Sequence, residues 1–285
     1  MLGRTRWVDF NSGVELVHVL FILFYTVALL SFVTSQLRAE IKFDGGVQPE
    51  NPTDWGEDEI GYVGLQDQPG KISISKGYLV AKETYLGYES TGSLELTGYE
   101  SELRTGELYI GRGGAGVAEV SGGARMYTDL TCIGWTSEGS LKIDSTQFES
   151  GKVFLGYLGT GSLQLEYNAT VRLNSFYGNL ADISGSGAIY AKGIVTDAEF
   201  VFDSPQDLKR VLPFGSEGIF NLDLSSGDGD LGVGYRGRGQ LSIGGSVTVR
   251  TQNAYLGYLP GGQGKGVVAG SDAKLHCSQL HVGYF

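Results

Sequence analysis

Acidic side chains are the first candidates for chemistry. Asp228-Gly229-Asp230 and the run Glu57-Asp58-Glu59 carry hard oxygen ligands of the kind that bind Ca²⁺. Neither an EF-hand loop nor a G-G-x-G-x-D repeat accompanies them, so solvated acidic loops are the plainer expectation and calcium at Asp228 and Asp230 the sharper one. Paired carboxylates are also the machinery of glycosidases. No acid here stands with a partner in a pattern that differs from turn chemistry, so no catalytic residue is named and no enzyme is expected. Gly111-Arg-Gly-Gly-Ala-Gly116 spells G-x-G-x-x-G, but a dinucleotide loop opens a helix and this string opens an alternating strand pattern, which makes it a turn. Aromatic residues flank a recurring glycine. Tyr62, Tyr85, Tyr109, Phe154 and Tyr255 stand two before it, while Tyr88, Trp135, Tyr157, Tyr235, Tyr258 and Tyr284 follow it. Alternation through the turn aims the first set outward, as a candidate row of flat faces for sugar rings. The second set points inward or caps a corner, and stacking that only stabilises the fold is the alternative for both.

Composition excludes several classes. Lys plus Arg number 21 against 32 Asp plus Glu, a formal charge of −11, which disfavours binding to a phosphate backbone. Three His and two Cys are too few for a His/Cys zinc site unless carboxylates supply most of the ligands. Cys132 and Cys277 fall in different repeats about six coils apart, roughly 29 Å at the strand spacing, too far for a disulfide within one straight stack. Asn168-Ala169-Thr170 is a glycosylation sequon only in a eukaryotic host.

The elements that must position these residues come from a repeat. Gly64, Gly87, Gly111, Gly134 and Gly156 are spaced by 23, 24, 23 and 22 residues, and the motif returns at Gly234, Gly257 and Gly283. A second glycine lies five residues on in most copies. Alternating apolar pairs follow: Ile72/Ile74, Leu94/Leu96, Ala118/Val120, Leu141/Ile143, Leu163/Leu165 and Leu241/Ile243. Period two bounded by glycines is a half-buried strand, and a unit of this length cannot bury its face alone, so copies must stack. The expected fold is all-β, a parallel β-helix (β-solenoid) of about 23-residue coils, most simply right-handed, with eight or nine coils and the motif glycines at sharp turns or positive φ. Residues 40–60 form a lead-in or cap, 61–173 a repeat solenoid, 174–226 an irregular coil or insertion, and 227–285 a second solenoid stretch that stops in mid-repeat. The charged segment 199–221 is an insertion of the kind that carries function on such arrays, a degenerate coil with no role being the plainer reading.

Arg4 and Arg6 precede an uncharged run from Val19 to Val33, and Ala39 is an acceptable small residue at a cut. Residues 1–39 therefore form a hydrophobic signal helix, or an uncleaved anchor if 14–33 spans a bilayer, the one membrane contact expected.

The segments Tyr85-Leu-Gly-Tyr-Glu-Ser-Thr-Gly-Ser-Leu-Glu-Leu-Thr-Gly98, Leu108-Tyr-Ile-Gly111 and Leu231-Gly-Val-Gly-Tyr-Arg-Gly-Arg-Gly-Gln-Leu-Ser-Ile243 resemble the glycine-rich repeat associated with type V secretion (autotransporters) and with PEP-CTERM-sorted bacterial proteins. The opening Ala39-Glu-Ile-Lys-Phe-Asp-Gly-Gly and Asn51-Pro-Thr-Asp-Trp55 look like the lead-in to such repeats. That resemblance implies an exported or surface β-solenoid with no catalytic residues to carry over. The chain departs from it in having no translocating barrel and no sorting signal within its 285 residues. The function expected is a non-enzymatic structural or adhesive solenoid, secreted or at the cell surface, that contacts extracellular polysaccharide or matrix, without nucleic acid and without a cofactor beyond the calcium candidate. The alternative is a polysaccharide-degrading β-helix enzyme.

Overall fold

The computed structural model describes residues 40–284. The signal or anchor helix expected over residues 1–39 lies outside the described residues. Among these no α-helix forms, and the chain is an all-β parallel solenoid of about ten turns. The turns stack through two sets of strands and a third, smaller sheet. In the first set, the opening of β4 (Gly70–Leu86) pairs with β5 (Gly92–Thr97), then β7 (Gly116–Ser121), β9 (Glu138–Asp144), β11 (Thr160–Glu166) and β13 (Ile183–Gly185), all parallel. A separate three-stranded sheet of β16 (Glu199–Phe202), β20 (Arg238–Ile243) and β22 (Gln263–Val268) follows.

The second set is longer. It runs from β3 (Ile60–Val63) through β4, β6 (Ser101–Ile110), β8 (Arg125–Ile133), β10 (Gln147–Leu155) and β12 (Thr170–Tyr177). It then divides into β14 (Ala188–Ala191) with β18 (Gly218–Asp223) and β15 (Ile194–Thr196) with β19 (Leu231–Val233), and closes on β21 (Thr248–Leu256) and β23 (Lys274–Val282). Two strands cap the first edge. β1 (Glu40–Gly45) lies antiparallel on β4 and β2 (Val47–Gln48) antiparallel on β3, while Trp55 packs over Gly61 and donates its ring N–H to Pro49.

The alternating pairs form the inward ladders. Ile72, Ile74, Leu96, Val120, Leu141, Ile143, Leu163 and Leu165 are completely buried, and Ala118 holds its place among them. Each buried Leu or Ile contributes about 1.5–3 kcal/mol by leaving water, so the interior ladder is the main stabilising element. Each long strand bends once in its middle, and hydroxyls satisfy the bend. Thr105, Ser150 and Thr251 donate to the carbonyls of Glu107, Lys152 and Asn253 two residues ahead, and Thr128 bridges to Ser150 at 2.8 Å.

The motif glycines all take φ between +64° and +82°. At Gly134 a side chain would also meet the Thr160 carbonyl at 2.3 Å from the next turn. There are more turns than the eight or nine counted from the glycine motif. Two rungs in the middle, at Tyr177 and Val195, continue the ladder without it. The register step from Thr170 to Ala188 shortens to 18 residues and that from Ala188 to Ile219 lengthens to 31, which is why the period blurs. Within 174–226, β13 to β16 keep the coil going. The chain leaves it only between Phe202 and Gly218, where a 3-10 turn (Pro205–Leu208) leads into β17 (Lys209–Phe214), antiparallel to β18.

Candidate functional site

The recurring aromatic positions lie in register. Tyr62, Tyr85, Tyr109, Cys132, Phe154 and Tyr177 occupy consecutive rungs, followed by Val195, Gly232, Tyr255 and His281. The side chains beside Tyr85, Tyr109, Cys132 and Phe154 are buried, so these residues alternate to the outer side of the solenoid wall. Their faces are taken by each other. Tyr62 and Tyr85 stack at 5.4 Å, Tyr85 and Tyr109 at 4.7 Å, Phe154 and Tyr177 at 4.2 Å, and Tyr255 and His281 at 4.8 Å.

The residues after the glycine form a second layer over the first. Tyr88 meets Tyr62 and Tyr85 edge-on, Trp135 meets Tyr109, and Tyr157 meets Phe154 and stacks on Trp135. Arg112 fills the same place in its turn and lies over Tyr85 and Tyr88. Tyr85 and Tyr255 are buried beneath this layer. Burial pushes the Tyr255 hydroxyl up to about 12 and raises those of Tyr85 and Tyr109, whose donation to Glu83 and Glu107 holds the proton more firmly. Cys132 sits within this row, buried, and its thiol is raised by that burial. It and Cys277 are unpaired.

Asp230 is completely buried. It accepts from Lys152 Nζ at 2.8 Å, from the Tyr177 hydroxyl, and from the Asn253 backbone and side-chain amides at 3.1 and 2.8 Å, while its own N–H donates to Ser175. Asp228 is exposed and turns to Lys192. The two carboxylates of the calcium candidate thus face different partners. Among the described residues no group of three or more His, Cys, Asp or Glu side chains is placed to share a metal ion.

A different surface collects polar groups. The outward residues of the long strands, upstream of the bend, line a groove of about 1120 Å³ along the stack. Its central row is Val80, Arg104, Tyr127, Glu149, Arg172, Tyr190 and Asn221, one residue per turn in register. At the strand spacing of about 4.8 Å this row is roughly 29 Å long. Each arginine lies over the tyrosine of the next turn, Arg104 on Tyr127 at 5.0 Å and Arg172 on Tyr190 at 5.1 Å. Such pairs draw the cation to the ring face. Arg104 is also paired to Glu102. Asp129 and Glu149 line the groove one turn apart.

β17 stands at one end of this groove, and it belongs to the charged segment 199–221. Lys209 and Ser225 bind Asp223, and these bonds, the serine hydroxyl first, hold the Asp223 carboxyl down at about 2. Arg210 lies over Phe202 and binds the carbonyls of Val201 and Asp207, fixing β17 to the strand before it. The central row was not among the candidates from sequence. Its signal is there, as an outward residue between two inward ones in Leu103-Arg104-Thr105, Met126-Tyr127-Thr128, Phe148-Glu149-Ser150, Val171-Arg172-Leu173 and Ile189-Tyr190-Ala191. The arrangement offers ring faces, guanidinium edges, carboxylates and amides at one-turn intervals. It suits an extended polymer lying along the stack. No family model, no curated protein and no solved structure matches this chain.

Proposed function

We propose that this chain is a non-enzymatic, exported β-solenoid that holds a repetitive surface outside the cell and binds an extended polysaccharide along its groove. The groove carries this reading. A row of residues in register over seven turns makes many weak contacts with a repeating polymer, and their sum gives avidity that no single contact has. The resemblance to glycine-rich repeats of secreted bacterial proteins supports export, and the negative charge of the chain argues against nucleic acid. The buried aromatic corner contributes rigidity, since its ring faces are spent on one another.

Asp129 and Glu149, one turn apart in the same groove, favour a second reading as a polysaccharide hydrolase with these as its carboxylate pair. One experiment separates the two. The protein is run on native gels containing a panel of neutral and acidic polysaccharides, and the same mixtures are assayed for new reducing ends. Retardation without new ends is the expected result. New ends that vanish in Glu149→Gln would establish the hydrolase instead, and no retardation on any polymer would leave a purely structural solenoid.

A further inference from the structure

The charge along the groove reverses that of the chain. Six basic side chains line it against four acidic ones, in a protein where acids outnumber bases 32 to 21. The excess is concentrated toward β17, where Arg172, Lys192, Lys209 and Arg210 stand with Asp223, and with Glu149 one turn before Arg172 in the row. Most of these cations are spent. Lys209 is paired to Asp223, Lys192 to Asp228 and Arg210 to Asp207.

Arg172 differs. Among the described residues it has no carboxylate partner, and its contact is the Tyr190 ring, 5.1 Å away. Arg172 is exposed and Tyr190 is 41% exposed, so both remain accessible from the groove. A guanidinium over a ring face still has N–H donors at its edge for a planar two-oxygen acceptor, and the cation–π contact holds it beside the ring before any ligand arrives.

Building on the polysaccharide-binding reading, we infer that the polymer is acidic and carries carboxylates, with Arg172 binding a uronate carboxylate and the Tyr190 ring lying against the sugar that bears it. A carboxylate fits the two-pronged edge of arginine in a way that a neutral hydroxyl does not. Arg104 on Tyr127 repeats the pair three turns away, about 14 Å along the groove at the strand spacing. A second sugar of the same polymer meets that pair, its arginine already half-engaged by Glu102 and therefore the weaker contact.

The test measures binding of the full chain to polygalacturonate, alginate and hyaluronate, to fully methyl-esterified polygalacturonate, to a neutral set, to dextran sulfate and to single-stranded DNA. At least one of the carboxylate polymers is expected to bind about tenfold or more tightly than the neutral set, and esterification is expected to remove that gain. Arg172→Gln should lower the acidic polymer to the level of the neutral ones, whereas Tyr190→Ala should weaken both. The two side chains are on the surface, so circular dichroism should show both variants folded. Neutral polymers binding as well as acidic ones would overturn the carboxylate assignment and leave the polysaccharide reading standing. Equal binding of dextran sulfate or DNA would overturn it too, since charge density alone would then decide. Binding to no polymer would remove both.

Discussion

Removing the Asp230 carboxylate leaves the Lys152 ammonium, the Tyr177 hydroxyl and the Asn253 amides facing a space with no acceptor. Asp230 is fully buried while Lys152 keeps 38% of its side chain exposed, so the ammonium can partly recover water and the tyrosine cannot. The Tyr177 hydroxyl is strongly raised, by burial first and then by the charge of Asp230, and it stays a neutral donor to that carboxylate. Asp230→Ala should therefore cost about 3 kcal/mol, toward the lower end of the range for breaking a buried pair. Asp230→Asn should recover less than half, because its single amide oxygen can serve either the Asn253 amides or Lys152 and Tyr177, which bind opposite carboxylate oxygens, and its NH2 then faces donors on the other side. Urea denaturation midpoints measure both, and an unchanged midpoint for the alanine variant would mean that this network adds nothing.

The strand and its glycine turn depend on close approach as much as on φ. Gly139 has an ordinary backbone conformation, yet a Cβ there would stand 2.2 Å from Gly134 N and 2.4 Å from Ile110 O, both backbone atoms that cannot rotate away. Gly56, outside the stack, would place a Cβ within 4 Å of nothing. Gly139→Ala should destabilise by about 2 kcal/mol or more as the turns are forced apart, while Gly56→Ala should leave the melting temperature near that of the parent. Equal melting temperatures would contradict the close packing of the turns. This geometry explains what the sequence made visible. The ladder from Ile72 to Leu165 and the eight motif glycines could be read directly, because burial on one face and positive φ each restrict residue type. The groove could not, since Arg104, Tyr127, Glu149, Arg172 and Tyr190 follow no single residue type from turn to turn and meet only through register. The middle turns escaped for a related reason. The rungs at Tyr177 and Val195 need no motif glycine, and the insertion that becomes β17 stretches the spacing around them.

Over the whole solenoid each turn contacts mainly its neighbours, so stability should divide along the stack wherever a ladder is interrupted. One interruption is clear. The first set of strands ends at β13, and β16, β20 and β22 form a separate sheet, leaving the β12–β14–β18 and β12–β15–β19 ladders as the strand pairing that continues through. A clamp at the aromatic corner spans the same region. Arg236 donates to the Tyr157 and Gly159 carbonyls at 2.9 and 2.7 Å, residues 77 and more positions earlier, while Asp197 accepts from the Arg236 and Gly237 N–H groups. Tyr177, Val195, Tyr235, Tyr255, Tyr258 and Leu259 form a second apolar cluster there, outside the central ladder. Arg236→Ala removes two charge-assisted bonds across the interruption and should cost about 2 kcal/mol locally, roughly thirtyfold in amide exchange where opening is local. Hydrogen exchange should then accelerate at 157–159 and across 231–259, with Leu94 to Ile143 as protected as before. Uniform acceleration from end to end would instead make the solenoid a single cooperative unit, with the broken sheet of no consequence to how it opens.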